Sequence, residues 1–233
     1  MTKPSPDPHS EPDACPTGIP VANGEPSARS VEDAGAMAVA IQANLVQLIV
    51  ADARRQNIPT ADHPLQVSPP GTVTAYREHL IDRHVIQAYS EDEVKIRLRE
   101  VFGQYCLMNW AFHLPGPDWD FSTLPPKAEL RCGSVLRVKV EELNALLWKL
   151  RFEQSRRADE SFESSPEFPN LLRIAERIPA NVNGKPARLS QLDALLAASI
   201  EYAGMLHAVR WLAEPARTWN EPGIMDVTTP SLD

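Results

Sequence analysis

Near its end the chain places three residues that could act together: His207, Arg210 and Asp226. His207 and Arg210 stand about one helical turn apart, and Asp226 would reach them if the terminal segment folds back over the last helix. A guanidinium to hold an anionic group, with an imidazole or carboxylate as acid or base, is the equipment of a hydrolase or transferase. The structural alternative needs no catalysis. Arg210 falls on the apolar stripe of Leu195, Leu196, Ile200, Ala203, Leu206 and Val209, in line with Leu192 after eighteen residues at about 100° each. A guanidinium buried there must find a partner or reach solvent. Trp219 and Asp226 belong to a terminal segment that is not composed like a frayed end.

Two further groups suit contact with a protein. Asp118 and Asp120 flank Trp119 in a loop stiffened by Pro115, Pro117, Pro125 and Pro126. An aromatic between two acids fits a basic partner better than it fits acid–base catalysis. Trp148 and Phe152 lie four residues apart on one helix, a second apolar face beside the main stripe, which means burial on two sides or a face left for a partner. Other chemistries find no pattern. His79 and His84 are five apart, the wrong spacing for two ligands on one helical face. Cys15, Cys106 and Cys132 give neither a disulfide framework nor a zinc spacing, and suit reduced thiols in the cytoplasm. There is no Gly-x-Ser-x-Gly elbow, and the ten glycines form no phosphate loop. Neither a metal nor a cofactor is expected.

The elements that must position these residues read as helices. Residues 1–29, with seven prolines before Ser30, form a Pro-rich tail expected to be disordered, and residues 30–233 form the domain. Ser30 with Asp33 opens a helix to about Gln56, buried on Met37, Ala38, Ile41, Leu45, Leu48 and Ile49. A shorter helix covers Thr72 to Ala88. Ser90 and Glu93 make a capping box for a third, from Glu91 to about His113, with a stripe of Val94, Leu98, Val101, Phe102 and Tyr105. Its final stretch, Cys106 to Leu114, is apolar around most of its circumference, which marks a central element. A fourth helix spans about Gly133 to Arg157, a short one Asn170 to Ile178, and a last one Ser190 to about Ala213. A turn lies between Pro179 and Pro186. Short strands are conceivable only at Leu130–Val138 and Ile224–Thr228, and no internal repeat of useful period is visible. The fold class is all-α: a single multi-helix globular bundle of five to seven helices.

Charge and hydropathy narrow the partners. A net charge of −8 argues against nucleic acid or an anionic membrane and suits a basic protein. No uninterrupted apolar run approaches a membrane span.

Several segments together resemble the bacterial domain of unknown function 4272: Leu143-Asn-Ala-Leu-Leu-Trp148-Lys-Leu150, Ala208-Val-Arg-Trp211-Leu212, Trp219, and Asp226-Val-Thr-Thr-Pro230. The resemblance covers residues 139–233. It implies a helical fold and supplies no chemistry. Members often place Glu, Arg and His where this chain has Gly204, Met205 and Leu206, and here Asn220 to Gly223 separate Trp219 from Asp226.

The expectation is an acidic cytoplasmic helical protein that binds another protein without catalysis. An immunity or inhibitor protein against a basic toxin is one concrete form. An enzyme with its site near Arg210, His207 and Asp226 is the alternative, and the oligomeric state is open.

Overall fold

The computed structural model describes residues 28–58, 79–114, 121, 128–178, 181–182, 185–186 and 192–219. Among these the protein is all-α, with seven helices: α1 (Val31–Arg55), α2 (Arg83–Ala88), α3 (Glu91–Ala111), α4 (Gly133–Ala158), α5 (Phe168–Arg177), α6 (Leu192–Ala197) and α7 (Ser199–Ala213). A 3-10 turn spans Phe162–Ser164. Asn181–Val182 pairs antiparallel with Lys185–Pro186, a two-residue ladder at the turn expected there. Residues 1–27 of the expected tail lie outside the described residues.

Local chemistry sets the helix ends. The Ser30 hydroxyl accepts from the Asp33 N–H at 3.0 Å and opens α1. At α3 the capping box is complete: the Ser90 hydroxyl accepts from Glu93 N–H, and the Glu93 carboxylate accepts from Ser90 N–H. These bonds to Ser90 hold the Glu93 carboxyl below its ordinary pKa. Asn57 and His113 take left-handed backbone angles (φ 55° and 54°). This lets Ile58 N–H reach Ala53 O and Leu114 N–H reach Asn109 O, ending α1 and α3.

The four long helices stack in the order α1, α3, α7, α4. The inner pair meets at two glycines. A Cβ on Gly103 would lie 2.0 Å from the Glu201 carbonyl oxygen, and one on Gly204 would lie 2.1 Å from that of Glu100. Only glycine allows backbones so close. The contact is reciprocal, since Glu100-Val-Phe-Gly103 faces Glu201-Tyr-Ala-Gly204.

The same reciprocity extends outward. Arg131, just before α4, donates from its backbone N–H to Ala111 O and from Nε to Trp110 O, with its guanidinium 4.6 Å from the Trp110 ring centre. Arg29, just before α1, donates to Leu212 O and Trp211 O and lies 4.3 Å over Trp211. Each arginine closes the C-terminus of an inner helix, where a cation is favoured. Counting along from Arg29 and Arg131, Val31 matches Gly133, Ala34 matches Leu136, Ile41 matches Leu143 and Leu48 matches Leu150. The last three pairs are buried on both sides. Mutual contacts of this kind define an approximate two-fold relation of α1 and α3 to α4 and α7. The relation is one of helix contacts and not of a sequence period. It rests on a few capping and crossing positions rather than on a run of identical residues.

Other expectations need correction. The last helix is interrupted at Ala198, so an eighteen-residue phase from Leu192 does not carry through to Arg210. Arg210 is buried for another reason: α7 lies between α3 and α4 and is enclosed all round from Leu206 to Ala213. The central position read for the end of α3 is thus shared with α7. Among the described part of the expected Thr72–Ala88 helix, α-helix begins only at Arg83, after the Asp82 N-cap. Ile49 and Phe102 are 48% and 43% exposed, on the outer faces of their helices. Leu130–Val138 is no strand, because α4 already runs from Gly133. Ala28 and Arg29 belong with the packed structure. By length and mean hydropathy (1.7) α1 could cross a bilayer, but 61% of its most apolar window is buried inside the protein.

Candidate functional site

Arg210 is 6% exposed and His207 is 7% exposed. The Arg210 Nη2 donates to Asn144 Oδ1 of α4 at 3.4 Å, and Asn144 is itself buried. The Trp219 ring stands edge-on to His207 at 4.5 Å and to Trp211 at 5.5 Å, and reaches His79 at 6.5 Å. The segment after α7 does fold back, as far as Trp219, and covers the imidazole. Asp226 lies outside the described residues. Among the described residues the structure brings together a buried polar seam between α4 and α7, roofed by an indole, in which the Asn144 amide faces the guanidinium.

The expected aromatic face of α4 is not free. Phe152 is 5% exposed. Trp148 stacks on it at 5.9 Å, while Phe162 and Phe168 pack on it at 5.8 and 6.0 Å and touch each other at 5.7 Å. The chain uses this face itself, which removes Phe152 from the contact candidates; Trp148 remains half-exposed. Asp118, Trp119 and Asp120 lie outside the described residues. Phe121, just beyond them, is buried against Tyr105 and Phe112.

Sequence reasoning overlooked a cleft between α1 and α2, about 780 Å³ in volume. That is the size of a small-ligand or peptide-anchor site. Among the described residues its apolar lining is Val50, Ala51, Leu80, Ile81 and Ile86, all buried or half-buried. Three arginines also line it: Arg54, Arg55 and Arg83. Arg55 is engaged, donating to the carbonyl oxygens of Ile86, Tyr89 and Ser90. Arg54 and Arg83 are exposed. Among the described residues the one acid of the lining, Asp82, caps α2 by accepting from His84 N–H at 2.8 Å. The described lining is therefore locally cationic, on a protein of net charge −8. Arg83 also sits in the first turn of its helix, the end at which a cation is disfavoured. That position was the one available signal, and it emerges only once the helix start is known.

Cys106 is half-buried beside Glu201. Burial, and then the nearby carboxylate, push its thiol up to about 11, so it is an unreactive thiol at neutral pH. No group of three or more metal-binding side chains converges among the described residues.

Fold and cleft together define an all-α domain with an open, cationic, apolar-lined groove. No family model matches the chain, and no curated protein or solved structure is similar to it.

Proposed function

We propose that this protein is a non-catalytic, cytoplasmic binding module that captures a segment of a partner polypeptide in the cleft between α1 and α2. The observation carrying this reading is the contrast between the two polar regions. The seam holding His207 and Arg210 is closed by Trp219, whereas the α1–α2 cleft is open and combines apolar surface with unengaged cations. Such a mixture anchors a peptide side chain and fixes its register.

The test is selection from a displayed random-peptide library with the full chain as bait. Gln47→Trp, which fills the cleft from α1, serves as the counter-bait. Enriched peptides should bind the wild type and lose at least tenfold in affinity against Gln47→Trp at unchanged melting temperature. Peptides that ignore the filled cleft, or no enrichment at all, would defeat the reading.

The basic partner expected from net charge, an immunity or inhibitor pairing included, is a second reading favoured by the −8 balance alone. Charge reversal at Asp118 and Asp120 tests it through loss of capture without loss of stability. An enzyme centred on Arg210, His207 and Asp226 would need the seam opened. Hydrolase or transferase activity that vanished in His207→Gln while Arg210→Lys kept the fold would favour it.

A further inference from the structure

Resting on that reading, the two-fold relation says what kind of segment the cleft accepts. On α1 the lining includes Gln47, Val50, Ala51, Arg54 and Arg55. Counted from the capping arginines, their counterparts on α4 are Lys149, Phe152, Glu153, Arg156 and Arg157. Every counterpart except Glu153 is contacted by chain from the segment that follows α4. Lys149 Nζ donates to Ile178 O at 3.5 Å, and Arg157 pairs with Asp193 at 2.6 Å. Phe152, in the place of Val50, lies under Phe162 and Phe168. Arg156, in the place of Arg54, donates from Nε to Glu163 Oε1 at 2.7 Å. Glu153, in the place of Ala51, pairs with Arg156 from the same helix at 3.9 Å.

The second half thus shows how this helix face is covered: an aromatic ring on the apolar position and the next residue's carboxylate on the arginine. We infer that the α1–α2 cleft binds an acidic partner peptide carrying an aromatic anchor beside a carboxylate, with the ring against Val50 and Ile81 and the carboxylate on Arg54 and Arg83. The local chemistry agrees, since among the described residues the lining offers apolar surface and two exposed guanidiniums, and the Asp82 carboxylate is engaged as a helix cap. Arginine presents a planar fork matched to a carboxylate. The partner segment is therefore acidic, opposite to the sign that the whole-chain charge suggests.

The probe is a labelled synthetic peptide copying residues 159–169, Asp-Glu-Ser-Phe-Glu-Ser-Ser-Pro-Glu-Phe-Pro, titrated with the full chain by fluorescence anisotropy. Saturable binding is expected, weakened at least tenfold by Arg54→Glu and unaffected by Arg156→Glu. A peptide with Glu163→Lys should bind the wild type at least tenfold more weakly and recover against Arg54→Glu. Both protein variants are surface changes whose melting temperatures should match the wild type.

Absence of binding, or binding indifferent to Arg54→Glu, overturns the inference. If library-selected neutral or basic peptides occupy the cleft while this peptide does not, the inference falls and the binding-module reading stands. If nothing enters the cleft, that reading falls as well. Concentration-dependent self-association of the full chain, abolished by Arg54→Glu, would assign the cleft to a second copy and overturn the partner peptide.

Discussion

Val50 and Phe152 hold matching positions on α1 and α4, yet one lines an open cleft and the other lies beneath two phenylalanines of the same chain. The outer helices are otherwise treated alike. Both begin after an arginine that closes an inner helix and packs on its tryptophan, and both send the same register of apolar side chains inward. The inner helices cross through paired glycines. Among the described residues the two outer helices differ at their far ends, where a 3-10 turn and α5 fold over α4 while α1 borders a cleft. A scaffold that covers a face once with its own chain has a surface shaped to be covered. The cleft beside the matching face of α1 is the natural place for a ligand.

The comparison can be broken most sharply at the matched pair itself. Phe152→Ala should cost about 3–5 kcal/mol in urea unfolding, as a buried ring lost from an aromatic cluster, while Val50→Ala should cost about 1 kcal/mol or less. Similar losses at both sites would mean that the two faces are equally covered. Next in size are the glycines. Gly103→Ala and Gly204→Ala should each destabilise by roughly 3 kcal/mol, because the added carbon meets a rigid carbonyl rather than a side chain that can swing away. A stable Gly204→Ala protein would mean that the inner helices do not cross as described.

The capping arginines give a smaller and more exact comparison. Arg29→Ala and Arg131→Ala should each cost about 1–2 kcal/mol by thermal melting, within roughly 0.5 kcal/mol of one another. A silent Arg29→Ala would detach the start of the chain from the fold and undo the symmetry on that side. The smallest effect is on reactivity. With its thiol raised to about 11, Cys106 should be alkylated roughly a hundredfold more slowly at pH 8 than a free thiol of ordinary pKa. Its rate should climb about tenfold per pH unit until near pH 11. A plateau near pH 9 would show an ordinary, solvated thiol.

Much of the helical skeleton was legible because helix boundaries are written in short-range chemistry. Ser30 and the Ser90–Glu93 box started α1 and α3 where expected, and α4 ran almost to its expected end. The apolar girdle at the end of α3 correctly marked an inner helix. The same test missed α7, because Gly204, His207 and Arg210 dilute its apolar character while small residues let its neighbours close in around it. The contact candidates fared differently for a related reason. Trp148 and Phe152 looked like a spare face only because Phe162 and Phe168, which cover it, sit in a polar stretch that gave no sign of packing.

From sequence alone came the all-α class, the places where helices begin, and the need of Arg210 for a partner: propensities, caps and the cost of a buried charge act within a few residues. Tertiary structure decided that Asn144 faces the guanidinium, that Trp219 roofs His207, that two glycines carry the central crossing, and that a cleft borders one of two matching helix faces. Those outcomes depend on which surfaces distant segments present to each other, and burial is a property of the pair rather than of either strand of sequence.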